Sequence, residues 1–457
     1  MTGRIRLVLG VVATSLLALT SAACRVSVGP AEDDPAPTPT TPDPVDPSTP
    51  CTSTGGSGTL AIAVTGLPPG AAAKVAYDGS SGRQPVTASS SVPLPSGLYL
   101  VMADSVFVTD PIVGTVYKAV PSAPTTCVRP GQTANVEVAY KPVATSNKLW
   151  SLNSNAAAEV LAYPSSSLQA SGTPAAAVSA GIEIPKGFAF DREGGLWATA
   201  SVAGESVLAH YPADALAASG AKTPDITIAG PALSFGAPSV TAIAFDAKGN
   251  LWVSAVAAKK ILRYDAAQLG ASGSPEPSVT ITDVDGPGPL AFDAAGNLWA
   301  TSGNSVIEYA AARLAASTSA PPDIVLGAQT PPPVVTSHQA PSGLAFDAAG
   351  NLWVDYNGGA LVRFTATERS LSATITPAVQ LTLDVAALAE GVAFDEAGGL
   401  WFAYSAGKIA RLAPTQLTAS ANVTPSTILT SATVGSAGSV AFYPAPAALP
   451  IFGKLLP

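Results

Sequence analysis

The six tryptophans of the chain, Trp150, Trp197, Trp252, Trp299, Trp353 and Trp401, stand 47, 55, 47, 54 and 48 residues apart. Around five of them runs nearly one phrase: GFAFDREGGLWA (187–198), AIAFDAKGNLWV (242–253), PLAFDAAGNLWA (289–300), GLAFDAAGNLWV (343–354) and GVAFDEAGGLWF (391–402). Self-similarity at such a period marks a repeat architecture, in which no unit can bury its own faces and neighbours must stack. The phrase itself is a hairpin instruction. Its Asp accepts backbone N–H groups across the turn, Gly supplies positive φ, Asn tolerates the left-handed region, and Leu-Trp resumes the strand.

Each unit continues in the same way. A strand ends in an aromatic residue or Leu (Tyr163, Tyr211, Tyr264, Tyr309, Phe364, Leu412), and later a Pro precedes an aliphatic residue by four positions, as in Pro174/Val178 and Pro224/Ile228. That makes four strands per unit, the content of one propeller blade. The first unit starts at Lys148-Leu149-Trp150 without an AFD strand, and the chain closes on GSVAFYPAP (438–446) without a GNLW. One end therefore completes the other. The expectation is an all-β chain whose residues 147–446 form a six-bladed β-propeller with four-stranded blades, closed by a C-terminal innermost strand, which removes exposed sheet edges. The phrase resembles the NHL-repeat family and its SMP-30/gluconolactonase and streptogramin-lyase relatives.

Ahead of the repeat, apolar residues alternate between Gly58 and Val143, at Leu60, Ile62 and Val64, at Val75 and Tyr77, and at Val136, Val138 and Tyr140. Turns at GLPPG (66–70), DGSSG (78–82) and PSG (95–97) separate them, which predicts a small β-sandwich of about seven strands over 51–143. VTGLPPGAAAKVAYDG, LPSGLYLVMA and RPGQTANVEVAYKP resemble the prealbumin-like or PEGA-like modules of bacterial envelope proteins, which implies a spacer or adhesive unit.

The N-terminus supplies a cell address. Arg4 and Arg6 precede an apolar run from Leu7 to Leu19 and the small residues Ser21-Ala22-Ala23, the order of an export signal over 1–23. The run is too short to span a bilayer. Cys24 directly after SAA resembles a bacterial lipoprotein signal, which implies lipid on Cys24 and a membrane partner through it. Ser21 stands where that family usually has Leu or another aliphatic residue, and a plain signal-peptidase cut after Ala23 is the alternative. Three cysteines are odd in number; lipidating Cys24 leaves Cys51 and Cys127 to pair as a disulfide in an oxidising compartment. Residues 24–50, rich in Pro, Thr and acids and free of aromatics, read as an extended linker reaching up to about 80 Å. Residues 447–457 are a C-terminal tail.

A net charge of −9, with no Lys/Arg stripe interleaved with aromatics, argues against a nucleic-acid partner. There is no GxSxG elbow, phosphate-cradling Gly loop or plausible Cys nucleophile. The repeated Asp191, Asp246, Asp293, Asp347 and Asp395 read as turn residues before they read as calcium ligands. His210 is expected as a solvent-facing strand residue.

His338 lies in a long link, 327–342, on the face where ligands of such folds bind, together with Asn153, Asn155, Asn304, Asp355, Tyr356, Asn357, Tyr404, Ser405, Asp285 and Glu390. Asp355, Tyr356 and Asn357 also read as turn residues with a rim aromatic. Two functions follow. One is an exported, lipid-anchored envelope protein whose propeller face binds a protein, peptide or glycan without chemistry and needs no cofactor. The alternative, implied by the resemblance, is a metal-dependent lyase or lactone hydrolase with one divalent cation on the propeller axis, held by Glu, Asn and Asp.

Overall fold

A computed structural model describes residues 51, 55–153, 159–182, 185–202, 205–233, 240–328, 340–356, 359–383, 391–404, 407–430 and 437–446. Export signal, Cys24, linker and C-terminal tail lie outside the described residues, as do His338, Asn357 and Glu390. Everything described falls within one compact unit beginning at Cys51.

The segment from Ser57 to Pro142 folds into two sheets, of five and four strands. They face each other across one core, where Leu60, Ile62, Val136, Val138 and Tyr140 from the first meet Val75, Tyr77, Tyr99 and Val101 from the second. Nine strands are present against the seven or so read from alternation. Gln84–Val86 and Val106–Val108 are three-residue strands, too short for a period of two to show. Cys51 and Cys127 form a disulfide, their Cα atoms 5.8 Å apart, and closing a loop of this length restricts the unfolded chain by about 4 kcal/mol on the chain-entropy account.

Six sheets follow. The second is representative: Phe188–Phe190, Leu196–Val202, Glu205–Tyr211 and Ile226–Ile228 pair antiparallel in chain order. Strand Ala437–Tyr443 supplies the innermost position of the first sheet and pairs antiparallel with Lys148–Asn153, at the opposite end of the repeat region. The innermost strands touch in a cycle, 437–443 to 188–190, 240–245, 287–292, 341–346, 392–394 and back to 437–443. A ring of sheets around an axis is the result.

Aromatic residues make the joints between sheets. Five of the six Leu-Trp strands send their indole onto the Phe of the next innermost strand. The ring centroids are 5.6 Å apart for Trp150/Phe190, 5.9 Å for Trp252/Phe292, 6.1 Å for Trp299/Phe346, 6.2 Å for Trp353/Phe394 and 6.3 Å for Trp401/Phe442. All five are edge-to-face, a geometry that adds about 0.5–1.5 kcal/mol to the area buried. In the remaining joint Trp197 shares a core with Phe245.

The outer rim carries a second set of joints that neither period nor phrase revealed. The fourth strand of every sheet, counted from the axis, donates a backbone N–H to a serine of the next repeat. The pairs are Ser179 to Ser219, Thr227 to Ser272, Thr280 to Ser317, Val325 to Ser372, Gln380 to Ser420 and Ile428 to Ser171, all at 2.9–3.0 Å. Short parallel pairings accompany them, such as Gly172 with Leu429, and cover rim edges that would otherwise expose unpaired backbone. The sixth sheet is thus tied to the first at hub and rim alike.

The N-terminal sheets pack against the end of the ring that carries the AFD turns. Ile112 and Val113 share a core with Leu149, Trp401 and Phe442, and the Glu396 amide donates to the Ile112 carbonyl at 3.0 Å.

Candidate functional site

The inner strands surround an axial cavity of about 230 Å3. Because every strand reads X-Ala-Phe, the lining repeats in three tiers. Phe188, Ile243, Leu290, Leu344, Val392 and Val440 form one, a ring of alanines at 189, 244, 291, 345, 393 and 441 the next, and the phenylalanines at 190, 245, 292, 346, 394 and 442 the third. Alanine lets the innermost strands approach one another at the hub. Polar groups appear at the turn end, where Asp191, Arg192 and Tyr443 join Pro444 and Pro446. A closed cycle of antiparallel sheets around such an axis decides the architecture. The fold is a β-propeller.

The repeated aspartates of the propeller are spent on the turns. Asp246 is typical: its Oδ1 accepts the amides of Lys248 (2.8 Å) and Asn250 (3.0 Å), and its Oδ2 accepts Asn250 Nδ2 (2.8 Å) and Trp252 Nε1 (3.0 Å). Asp293 and Asp347 repeat this, and Asp395 takes Trp401 Nε1 at 2.9 Å with Arg411 Nε at 2.6 Å. Asp293 also receives Arg369 from the next sheet at 2.7 Å. Burial raises its pKa, but Arg369 and the donors from Asn297 and Trp299 outweigh that and hold the carboxyl below its ordinary value. Each carboxylate thereby locks a turn and orients the tryptophan that forms the joint.

His210 departs from its expected exposure. Its side chain is 13% exposed and sits between Asp225 Oδ1 (2.7 Å from Nδ1) and Asp191 Oδ2 (3.0 Å from Nε2), with its ring against Trp197. It replaces the indole as the donor to the turn aspartate. Burial is the largest single influence and lowers its pKa, but the hydrogen bonds and charges of Asp191 and Asp225 together raise it.

The residues assigned to the ligand face separate into two groups. Asp355 and Tyr356 belong to strand Leu352–Tyr356 and are buried, so neither is a turn residue, and Tyr356 is no rim aromatic. Asp355 Oδ2 accepts the Ser342 hydroxyl at 2.8 Å, while Oδ1 has no hydrogen-bond partner among the described residues. Burial lifts the carboxyl to a pKa of about 8 against the opposing Ser342 bond, leaving it protonated near neutrality. Tyr404 ends strand Leu400–Tyr404, buried, with Lys408 Nζ 5.8 Å over its ring.

Asn304 and Asp285 are exposed, and Asp285 pairs with Lys259 at 2.9 Å. Asp285 and Asn304 adjoin the fourth sheet, Asp355 and Tyr356 lie in the fifth and Tyr404 in the sixth. Among the described residues no three His, Cys, Asp or Glu side chains gather into a metal-ligand set. Asn153 is buried in strand Lys148–Asn153.

The rim serines and Arg369 escaped the sequence reading. The serines do carry a signal: each follows its repeat's tryptophan by 18 to 22 residues.

No protein-family model matches this chain, and no curated protein matches it in sequence. Solved structures similar to it include virginiamycin B lyase from Staphylococcus aureus, at 19% identity over 50% of this chain and 67% of that one, TM-score 0.32. A streptogramin B lyase matches at 17% identity over 51% and 67%, TM-score 0.35. The β-propeller domain of Myceliophteria thermophila Cps50 (Swd1) matches at 12% over 50% and 64%, TM-score 0.33. Likeness at this level concerns fold and assigns no activity.

Proposed function

We propose that this is an exported cell-envelope protein, anchored by lipid on Cys24, in which an acidic linker and a small β-sandwich carry a six-bladed propeller. The propeller face bearing Asn304 and the links that follow the Trp strands binds a protein, peptide or glycan and performs no chemistry. The disulfide between Cys51 and Cys127 fits an oxidising compartment outside the cytoplasm. Six sheets, three of four strands and three that gain a fifth short strand from the following repeat, are tied first to last and fit the six-bladed count.

The observation that carries the reading is the axial lining. The hub is built from Ala, Phe and aliphatic side chains, so the inner strands offer the axis a smooth apolar wall. A divalent cation there needs six or more oxygens. The repeated turn carboxylates already satisfy amide, indole and guanidinium donors.

One observation favours the metal-dependent lyase or lactone hydrolase as a second reading. Asp355 is a buried acid, protonated near neutrality, with one oxygen unengaged among the described residues, and general acids are tuned by burial in this way.

The purified exported protein separates the two. Metal analysis is expected to find no stoichiometric divalent ion, glycan and peptide arrays to give binding that survives EDTA, and lactone substrates with added Mg2+ or Mn2+ to remain intact. A stoichiometric ion with EDTA-sensitive turnover would install the enzyme instead. The mass of the mature N-terminal peptide tests the lipid on Cys24.

A further inference from the structure

A second cavity, about 610 Å3, lies on the turn side of the propeller, walled by the N-terminal sheet on one side and by the second and third sheets on the other. Lys118 and Lys141 contribute from the N-terminal sheet, Arg192 and Lys248 from the AFD turns opposite. Three carboxylates also line it, Asp191, Glu193 and Asp214; Asp191 is engaged by His210. Cations therefore predominate here in a chain whose net charge is −9.

Three features mark these cations as placed for a ligand. Lys118 and Lys141 are directly opposite each other on neighbouring strands, an arrangement of like charges that destabilises a sheet. Among the described residues, none of the four cations has an ion-pair partner within 4.0 Å, whereas Lys259, Arg263, Arg313, Arg369 and Arg411 all do.

The repeat supplies the third. The five turns read DREGG, DAKGN, DAAGN, DAAGN and DEAGG, so cations occupy only the two that face the lysine pair. The Arg192 turn is also fixed in advance. Its carbonyl accepts Tyr443 Oη at 2.8 Å, the Gly194 carbonyl accepts Thr145 Oγ1 at 2.7 Å, and Asp191 Oδ1 holds the Glu193 and Gly195 amides. Preorganisation of this kind lowers the cost of binding.

We propose that this cleft binds a compact polyanion, a small molecule carrying phosphates or several carboxylates, held between Lys118 and Lys141 on one wall and Arg192 and Lys248 on the other. The volume is that of small-molecule sites, which favour domain interfaces. Lysine ammonium groups act as point charges toward such an anion, and the arginine fork adds direction. The site is separate from the ligand-binding face proposed above and stands or falls independently of it.

Titration calorimetry of the mature protein at low ionic strength, with pyrophosphate and with citrate as probes, tests the assignment. The double variant Lys118→Gln/Lys141→Gln is expected to weaken the preferred anion by about tenfold or more, while its melting temperature without ligand rises because the like-charge pair is gone. Lys222→Gln, at a half-buried lysine that does not line the cleft and whose ammonium donates to the Ala218 carbonyl, is expected to bind as the parent does. Preference for pyrophosphate assigns phosphate chemistry, and preference for citrate assigns carboxylate chemistry. The proposal is overturned if neither anion binds, if the double variant binds as tightly as the parent, or if tetraglutamate binds and both small anions do not.

Discussion

Trp401, on the sixth sheet, meets Phe442 edge-on at 6.3 Å, and Phe442 belongs to the strand that completes the first sheet. The same contact joins Trp252 to Phe292 in the interior of the repeat at 5.9 Å. The closing joint is thus chemically one of the ordinary joints. Phe442→Ala is expected to cost about 3–5 kcal/mol of unfolding free energy, as is Phe292→Ala, measured by denaturant titration. A silent Phe442→Ala beside a costly Phe292→Ala would show the closing strand undocked.

The rim clasps predict a smaller, uniform effect. Ser171 Oγ accepts the Ile428 amide across the closure, and Ser272 Oγ accepts the Thr227 amide in the interior, both at 3.0 Å. Ser171→Ala and Ser272→Ala are each expected to cost about 0.5–1.5 kcal/mol, the net value of one hydrogen bond. Unequal losses in thermal denaturation would mean that closure at the rim differs from the other joints.

Protonated His210 bridges Asp191 and Asp225, and its folded pKa lies above the unfolded value near 6.5. The native state therefore holds the proton more tightly. The contribution is complete below about pH 6.5 and fades as pH rises through the folded value. His210→Gln is expected to cost about 1.5–3 kcal/mol at pH 5.5 and less at pH 9, followed by denaturation across that range. A cost independent of pH would contradict the bridge.

Asp355 works in the opposite sense. With a folded pKa of about 8 against roughly 3.9 unfolded, the native state keeps a proton that the unfolded chain releases. Stability falls between about pH 4 and pH 8 for that reason, at up to about 1.4 kcal/mol per pH unit. Asp355→Asn, which does not titrate, is expected to be more stable than the parent at pH 8 by about 2 kcal/mol or more, and to match it near pH 4. Equal melting temperatures at pH 8 would place the Asp355 pKa near the ordinary carboxylate value.

Much of this architecture was legible because one phrase specifies three things at once. In AFDAAGNLWV the Asp and Gly set the turn, alternation sets the strands, and the Trp and Phe set the joint to the next sheet. The rim was harder to read. Ser219 and Ser317 are small polar residues in small-residue stretches, and nothing local distinguishes a clasp from a surface serine until the neighbouring sheet is in place.

The sequence places His210 at the position that Arg263, Glu308, Arg363 and Arg411 hold in other repeats, residue types that usually face water. In the structure its ring lies against Trp197 and between Asp191 and Asp225, contacts that exist only once the strands of the sheet have paired. The candidate ligand face was legible only as residue types. Sequence named Asp355 and Tyr356, but burial inside a strand, the fact that decides their chemistry, depends on the sheet packed over them.

Hydrogen–deuterium exchange of the Ala437–Tyr443 amides tests the closed ring most directly. If this strand is the innermost member of the first sheet, paired with Lys148–Asn153, its hydrogen-bonded amides exchange as slowly as those of Pro341–Phe346, an innermost strand within the repeat. Rapid exchange across 437–443 with protection retained at 341–346 would mean an open array of sheets, and the ring would have to be abandoned.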